Sequence, residues 1–420
     1  MASSWKRVPL AEIAEFTSKP RELRLTDYKA IPFVPMELIP SDKIAIDGFL
    51  MKDPSVISSG TFFKEGDILL PKITPSFENG KQAIAEDLPL PFGIATTEVI
   101  PLREKANISD KLFLFYFLLK GDVRQSLASR MEGTTGRQRL NTEALKTLPV
   151  LLPPLPEQRA IARVLRAVQE VMQVLRRELE LERERKAALM HHLFRYGTRG
   201  EPTKQTEIGE IPQSWEVVRL GDYCSRPDYG LSTSASELPV GPKFLRISDL
   251  QESYTDWSSV PYCQCGEELK KAYLLHSKDI VIARIGASTG KALLVRDCPE
   301  SVFASYLLRI RVKEEKNLDP EYLFFFLQTD NYWKQINQKK AGRLKKGINI
   351  PVIENLLVPL TTLDEQYTIA KILVGCDTQI SALEQELALY QELFRTLLEE
   401  LMSGRLSVQP LLEQEPALDT

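Results

Sequence analysis

Gly286-Ala287-Ser288-Thr289-Gly290-Lys291-Ala292 is the segment whose residue types come nearest to a reaction centre, because glycines ahead of a lysine can wrap backbone amides round a phosphate. Its glycine spacing is wrong for that task, and Ala292 stands where a hydroxyl should hold magnesium. The related Ser76-Phe77-Glu78-Asn79-Gly80-Lys81-Gln82 departs further. Of the three histidines, His191 and His192 fall inside a periodic helix, where a surface role is expected, and His276 has no evident companion. His-Glu-x-x-His does not occur. The Asn/Asp-Pro-Pro-aromatic motif that holds a flipped base in aminomethyltransferases is missing, and Pro227-Asp228 lacks nearby carboxylates for a nuclease metal. Cys224, Cys263, Cys265, Cys298 and Cys376 supply one Cys-x-Cys, so neither a disulfide framework nor a four-ligand zinc site is expected. These residues read as a binding chain, with no catalytic or metal site of its own.

A polyanion is the partner that the local charge suggests. Lys334, Lys339, Lys340, Arg343, Lys345 and Lys346 lie between Tyr332 and Ile353 without one acid, a local field that the net charge of −3 conceals. Arg124, Arg130, Arg137, Arg139 and Lys146 occupy the corresponding stretch some 208 residues earlier, opposed by Asp122, Glu132 and Glu143 and broken by Gly133 and Gly136. Basic loops interrupted by glycine let backbone amides and side chains approach phosphates closely.

That correspondence belongs to a repeat running through the chain. Leu155-Pro156-Glu157-Gln158, with Ile161, Ala162 and Leu165, reappears 208 residues on as Leu363-Asp364-Glu365-Gln366, with Ile369, Ala370 and Leu373. Trp5 to Leu10 parallels Trp215 to Leu220, and Gly66-Asp67-Ile68-Leu69-Leu70 parallels Lys278-Asp279-Ile280-Val281-Ile282. The aromatic run Leu114-Phe115-Tyr116-Phe117-Leu118 returns as Leu323-Phe324-Phe325-Phe326-Leu327. Continuous apolarity, with Ser109-Asp110 and Asp319-Pro320-Glu321 as starts, predicts buried helices there rather than base-stacking platforms. Strands are expected at Ile68–Leu70, Val99–Ile100, Ile280–Ala283 and Leu307–Arg311.

After each Glu-Gln box the period becomes heptad. One seam holds Leu165, Met172, Leu179 and Leu193, the other Ile161, Val168, Leu175 and Leu189, with Gln158, Glu182 and Lys186 as defects. The second copy places Leu373, Ile380, Leu387, Phe394 and Leu401 beside Ile369, Cys376, Leu383, Tyr390 and Leu397. Such a repeat predicts helices packed as a coiled coil. Residues 157–195 carry nine Lys and Arg against six Glu, and residues 364–403 two against eight acids, so the two helices should pair with each other rather than each with its own kind. Thirty-eight helical residues span about 57 Å, enough for a rigid spacer.

The expected fold class is α+β: two mixed α/β recognition domains separated by two long antiparallel coiled-coil helices, related by a pseudo-twofold internal repeat. The expected division is 1–155 and 199–362 for the domains, 156–198 and 363–406 for the helices, and 407–420 for a flexible tail. The N-terminus has no apolar signal region, and the run Leu112–Leu119 is too short to cross a bilayer, so a cytoplasmic protein is expected.

In the order of these features the chain resembles the specificity subunit of type I restriction-modification systems, over essentially its whole length. The resemblance rests on the Trp215-Glu216-Val217-Val218-Arg219-Leu220 opening and on Lys72-Ile73-Thr74-Pro75-Ser76-Phe77-Glu78-Asn79-Gly80-Lys81, similar to a segment frequent in target recognition domains. It rests also on the Leu-Pro-Pro-Leu-Pro-Glu-Gln box and on helices ending near Leu193-Phe194 and Leu401-Met402-Ser403-Gly404. The resemblance implies that each domain reads half of a bipartite target on double-stranded DNA, while the helices set the gap and dock two modification (methyltransferase) subunits. Restriction (motor nuclease) subunits would complete the complex, and S-adenosylmethionine, ATP and magnesium would sit on those partners, none on this chain. The second box lacks the double proline, and the two recognition loops differ in sequence, so unlike half-sites are expected.

DNA contacts are then expected from Lys72, Thr74, Ser76, Asn79, Lys81, Arg137 and Arg139 in the first copy. Arg284, Ser288, Thr289, Lys291, Lys340, Arg343, Lys345 and Lys346 are the choices in the second. Docking and spacer roles fall to Glu157, Gln158, Ile161, Leu165, Glu365, Gln366, Ile369 and Leu373. The rival readings are a coiled-coil scaffold without a DNA role, whose binding would be insensitive to salt, and a fused DNA-modifying enzyme, which would transfer methyl groups unaided.

Overall fold

A computed structural model describes residues 5–134, 136–250, 255–313, 316–340 and 347–413, with only the backbone of Lys340. The chain divides into two compact units, Met1–Glu178 with Glu384–Thr420, and Leu179–Leu383. Each holds one globular domain and part of both long helices, Leu155–Tyr196 and Leu363–Met402. Their apolar seams supply each unit with part of its own core.

In the first unit the central sheet is antiparallel and ordered Ala14–Phe16, Val99–Glu104, Ile68–Pro71, Ala83–Ile84. Every residue of Ile68–Pro71 is buried, because the strand is covered on both faces. Alternation sends Ile68 and Leu70 into a core with the aromatic helix Lys111–Phe117, and Leu69 into another with Val34, Phe63, Ala95 and a second sheet. That second sheet runs Leu50–Lys52, Ile31–Val34, Phe92–Ala95, Thr61–Lys64, with its middle pair parallel.

The second unit repeats the plan. Its central sheet is ordered Asp228–Tyr229, Leu307–Ile310, Ile280–Ala283, Ala292–Leu294. Ile280 and Ile282 face the aromatic helix Pro320–Phe326, and Val281 and Ala283 face the other sheet. Strands Lys243–Leu245 and Ser301–Phe303 reproduce the parallel pair. The edges differ: Thr61–Lys64 flanks that pair in the first unit, where among the described residues the second has the bridge of Leu274 to Val302, and it adds Ala235–Ser236 at the opposite side. Variation thus collects at the rim of the outer sheet, where added strands disturb no core.

Both aromatic runs are helices buried on every side, as their continuous apolarity predicts. Asp110 caps the first by accepting from Phe113 N, and Asp319 caps the second by accepting from Tyr322 N ahead of Pro320. Each buried Phe or Leu contributes about 1.5–3 kcal/mol.

Each domain closes on itself. Lys6–Pro9 pairs antiparallel with Pro149–Leu152, and Glu216–Arg219 with Leu357–Leu360, so the first and last strands lie side by side at the foot of a long helix. The Glu-Gln box then clamps the joint. Gln158 Oε1 accepts from Asp110 N at 2.9 Å, and its Nε2 donates to Ile108 O at 3.0 Å and Pro153 O at 2.8 Å. Gln366 repeats every bond, accepting from Asp319 N at 2.8 Å and donating to Asn317 O at 2.9 Å and Thr361 O at 2.7 Å. Trp5 Nε1 donates to Glu157 at 2.8 Å and Trp215 Nε1 to Glu365 at 3.0 Å. The other Glu365 oxygen accepts from Thr198 N and Oγ1. A Cβ at Gly197 would stand 2.7 Å from that oxygen, and its φ of +67° independently favours glycine.

The seams lie inward as the heptad predicts. Ile161, Leu165, Met172, Leu175, Leu179 and Leu193 are buried, as are Ile369, Leu373, Cys376, Ile380, Leu383 and Leu401. Ile161 and Leu165 share a core with Leu398 and Leu401 in the first unit, and Leu193 shares one with Ile369 and Leu373 in the second. The beginning of one helix thus packs with the end of the other, an antiparallel arrangement. Beyond the second long helix Gln409–Glu413 is helical, and Val408 and Leu412 pack on the first unit's core beside Met402. Residues 414–420 of the expected tail lie outside the described residues.

Replacing Gln158 or Gln366 by alanine strands three backbone groups, most of them part-buried, and each substitution is expected to lower unfolding free energy by about 2–3 kcal/mol, read from the urea midpoint. Burial alone would raise the pKa of Glu365, but hydrogen bonds from Thr361, Thr198 and Trp215 outweigh it and hold the group below its ordinary 4.5. A depressed folded-state pKa gives stability that is present above 4.5 and is lost as pH falls through the folded value. Glu365→Gln is therefore expected to be less stable than the parent at neutral pH, with the difference shrinking below pH 4.5 in a series of urea titrations.

Candidate nucleic-acid interface

The central strand of each unit ends in a short loop, and that loop is tied to a later segment by one repeated backbone bond. In the first unit Leu140 N donates to Lys72 O at 2.7 Å, and in the second Ile348 N donates to Arg284 O at 2.9 Å. The second tie in the first unit runs from Thr74 N to Gln138 O at 3.0 Å. These bonds bring the loop 73–81 against the hairpin formed by Glu132–Thr134 and Arg137–Arg139. Two expected contact segments, 66 residues apart in sequence from Ile73 to Arg139, thereby meet in a β-bridge.

The hairpin needs its glycines. Gly133 has φ +137° and its absent Cβ would lie 2.6 Å from Arg137 O, and Gly136 has φ +83°. The loop is held from below by Phe77, which is fully buried, and by Arg124, whose guanidinium donates to Phe77 O, Leu118 O and Gln82 Oε1. Burial pushes Arg124 down to about 10. Arg124 is thus a post inside the domain and not one of the phosphate contacts its basic neighbourhood suggests. Lys146 likewise pairs with Glu143 at 2.8 Å on its own helix.

Of the first-copy candidates, Asn79, Arg137 and Arg139 are exposed, and Lys72, Thr74, Ser76 and Lys81 are half-buried. Thr74 Oγ1 donates to Glu78 and to Gln138 O, and Lys81 Nζ donates to Met36 O at 3.0 Å. Arg139 forms a forked pair with Glu98, at 2.9 Å from Nε and 2.6 Å from Nη2. Glu98 is held below the usual carboxylate range, chiefly by the Arg139 hydrogen bond, with Lys72 and Arg137 adding positive field. Three of the candidate cations therefore surround one carboxylate. No basic-residue pattern can flag Glu98, which sits in an otherwise ordinary turn.

In the second unit the loop 286–290 turns through positive φ at Gly286 and Gly290. A Cβ at Gly290 would meet Trp333 at 2.9 Å, and Tyr332 Oη donates to Gly290 O at 2.7 Å. Gly290 therefore serves close packing against the helix Asp330–Lys340, whereas a Cβ at Gly286 would meet nothing within 4 Å. Arg284, Ser288 and Lys291 are half-buried. Arg284 donates to Ser305 O at 3.2 Å with its guanidinium 4.4 Å from the Tyr229 ring centroid. Thr289 is 1% exposed and donates to Gly286 O at 2.6 Å, so it shapes the loop from within and cannot offer its hydroxyl to DNA. Arg343, Lys345 and Lys346 lie outside the described residues, as does the side chain of Lys340. Exposed Tyr306, whose carbonyl accepts from Arg284 N, joins this surface and carries no charge by which patterning could single it out.

The residues expected in docking and spacer roles lie at the helix–domain joints. Gln158, Ile161, Leu165, Glu365, Gln366, Ile369 and Leu373 are buried within their own units, and Glu157 is half-buried beneath Trp5. They join helix to domain, and no partner can touch the buried side chains. Among the described residues no helix is long and apolar enough to cross a membrane.

Comparison with known proteins gives this arrangement a family. The family model for the type I restriction modification DNA specificity domain matches the chain twice, at residues 2–183 and 212–391. The chain is similar to the type I restriction enzyme MjaVIII specificity subunit of Methanocaldococcus jannaschii, 26% identical over 373 residues, covering 87% of this chain and 85% of that protein. A shorter stretch of 166 residues is 36% identical to the EcoEI specificity subunit of Escherichia coli, covering 38% of this chain and 27% of that protein. The fold is that of the type I restriction-modification system S subunit from M. genitalium, with a TM-score of 0.60 at 15% identity over 95% of this chain and 96% of that one. With two matches that together span most of its length, this chain belongs to the type I restriction modification DNA specificity family.

Proposed function

We propose that this chain is the DNA-reading specificity subunit of a type I restriction-modification complex, and that each globular domain reads one half of a bipartite double-stranded target. The observation that carries this reading is the repeated loop at the end of each central strand, fastened by the same Leu140–Lys72 and Ile348–Arg284 backbone bond yet bearing unlike side chains. One scaffold then presents two different readers, which is what two unlike half-sites require. Lys72, Arg137 and Arg139 supply positive charge at the first reader, with Asn79 able to face a base edge, and Arg284 and Lys291 supply it at the second.

The long helices set the gap between the half-sites and dock two modification subunits. Docking uses the outward helix faces, where Val174, Tyr367 and Leu389 are 56%, 53% and 67% exposed, since the seams are closed. Methyl transfer and cleavage belong to the modification and restriction subunits, which would carry S-adenosylmethionine, ATP and magnesium. This chain contributes recognition alone, and its place of action is the cytoplasm.

Binding by the full chain in complex with its modification partner is expected to weaken steeply with salt. Arg137→Ala is expected to weaken affinity for target and non-target DNA alike and to flatten the plot of log K against log salt by about one unit, as for one lost phosphate contact. Fluorescence anisotropy across a salt series reads both effects. An unchanged affinity and slope would remove the hairpin from the interface.

A further inference from the structure

Lys186 interrupts the first helix's heptad at a seam position, where its charge has no place in an apolar interface. In the second unit its Nζ lies 2.6 Å from Asp377 Oδ1 on the second long helix, with the two side chains only 12% and 7% exposed. The same ammonium donates to Gln328 Oε1 at 3.1 Å and stands 5.6 Å from the Phe325 ring centroid. Beside it Arg185 pairs with Glu182 at 2.5 Å along its own helix and reaches Cys376 Sγ at 3.9 Å. The helices are therefore joined at this level by a buried charge pair, held from a third side by the aromatic helix's end.

The 208-residue offset identifies the corresponding place in the first unit, and its chemistry differs. Lys186 corresponds to Phe394 and Asp377 to Gln169. There Phe394 packs edge-on to Tyr116 at 6.0 Å between centroids, and Tyr116 Oη donates to Gln169 Oε1 at 2.9 Å. That junction is neutral. Pairing each helix with its own kind would set Lys186 opposite Gln169 and Asp377 opposite Phe394, leaving both charges buried without counterparts. Sliding the helices is no remedy. One turn of about 5.4 Å brings Lys186 to Leu373, Val374, Ile380 or Ser381, and Asp377 is the only acid between Glu365 and Glu384.

We propose that the Lys186–Asp377 pair, braced by Gln328, is a register lock that fixes which turn of one helix faces which turn of the other and makes the two helix junctions non-interchangeable. In a subunit that reads a two-part target, the proposed function on which this consequence rests, the lock determines the single gap length at which the two half-sites are accepted. An apolar replacement of the same volume would keep the helices packed but release their register, whereas exchanging the two charges would preserve both.

The test uses the full chain as Lys186→Met, Asp377→Leu, the double Lys186→Met/Asp377→Leu, and the exchanged Lys186→Asp/Asp377→Lys. Urea midpoints and a map of methylated adenines in cells supplying the modification partner are read for each. Either single substitution should lower the midpoint, the apolar double should regain more than half of that loss, and the double should methylate targets with more than one gap. The exchanged variant should keep the parent's single gap. A double whose loss equals the sum of the singles overturns the pairing, and an apolar double that keeps one gap overturns the lock. Failure of the parent chain to give any two-part methylated site would instead contradict the function, and the urea cycle would still decide the pair.

Discussion

The buried carboxamide of the Glu-Gln box is the constraint from which the rest of each unit follows. An amide sealed from water must satisfy its donors and acceptor, and Gln158 and Gln366 do so on three backbone groups from two separate segments. Those segments are the start of the aromatic helix and the residue that follows the last strand of the domain. Helix, sheet and spacer are thus fixed by one side chain whose length and two-sided hydrogen bonding no other residue reproduces. The indole of Trp5 or Trp215, bonded to the neighbouring glutamate, adds the domain's first residues to the same joint.

Distance from that joint governs how far the two copies diverge. At the foot of the helices the glutamine and indole hydrogen bonds match one for one, and Glu365 adds bonds from Thr198 and Thr361. Along the helices the seam persists, but Phe394 and Gln169 stand where Lys186 and Asp377 form an ion pair. At the outer sheet whole edge strands differ, and at the strand-end loops a Pro-Ser-Phe-Glu-Asn-Gly turn is replaced by Gly-Ala-Ser-Thr-Gly. A common mount with a variable tip suits a pair of readers, since changes in the tip leave the joint unstrained.

Much of this is legible in the amino-acid sequence alone. The repeat, the aromatic helices with their aspartate caps, and the strands at Ile68–Leu70 and Ile280–Ala283 rest on local chemistry that periodicity records directly. The heptad marks both long helices and their buried faces. What escapes is whatever depends on contacts distant in sequence. Arg124 has the look of a phosphate ligand because its neighbours are basic, and only the carbonyls of Phe77 and Leu118 reveal a buried post. Thr289 is polar and by type a candidate contact, yet it closes its own loop. Glu157 and Gln158 stand out enough to suggest a surface for partners, when their constancy between copies reflects an internal clasp. Lys186 reads as a heptad defect because its counterpart, Asp377, belongs to the other long helix.

Mapping methylated adenines in DNA from cells that carry this chain with its modification partner tests the central claim most directly, because it reports both readers and their separation together. The account predicts one two-part target with unlike halves, a fixed unspecified gap, and one methylated adenine in each half on opposite strands. A continuous target, a target with identical halves, or methylation governed by only one of the two domains would contradict it.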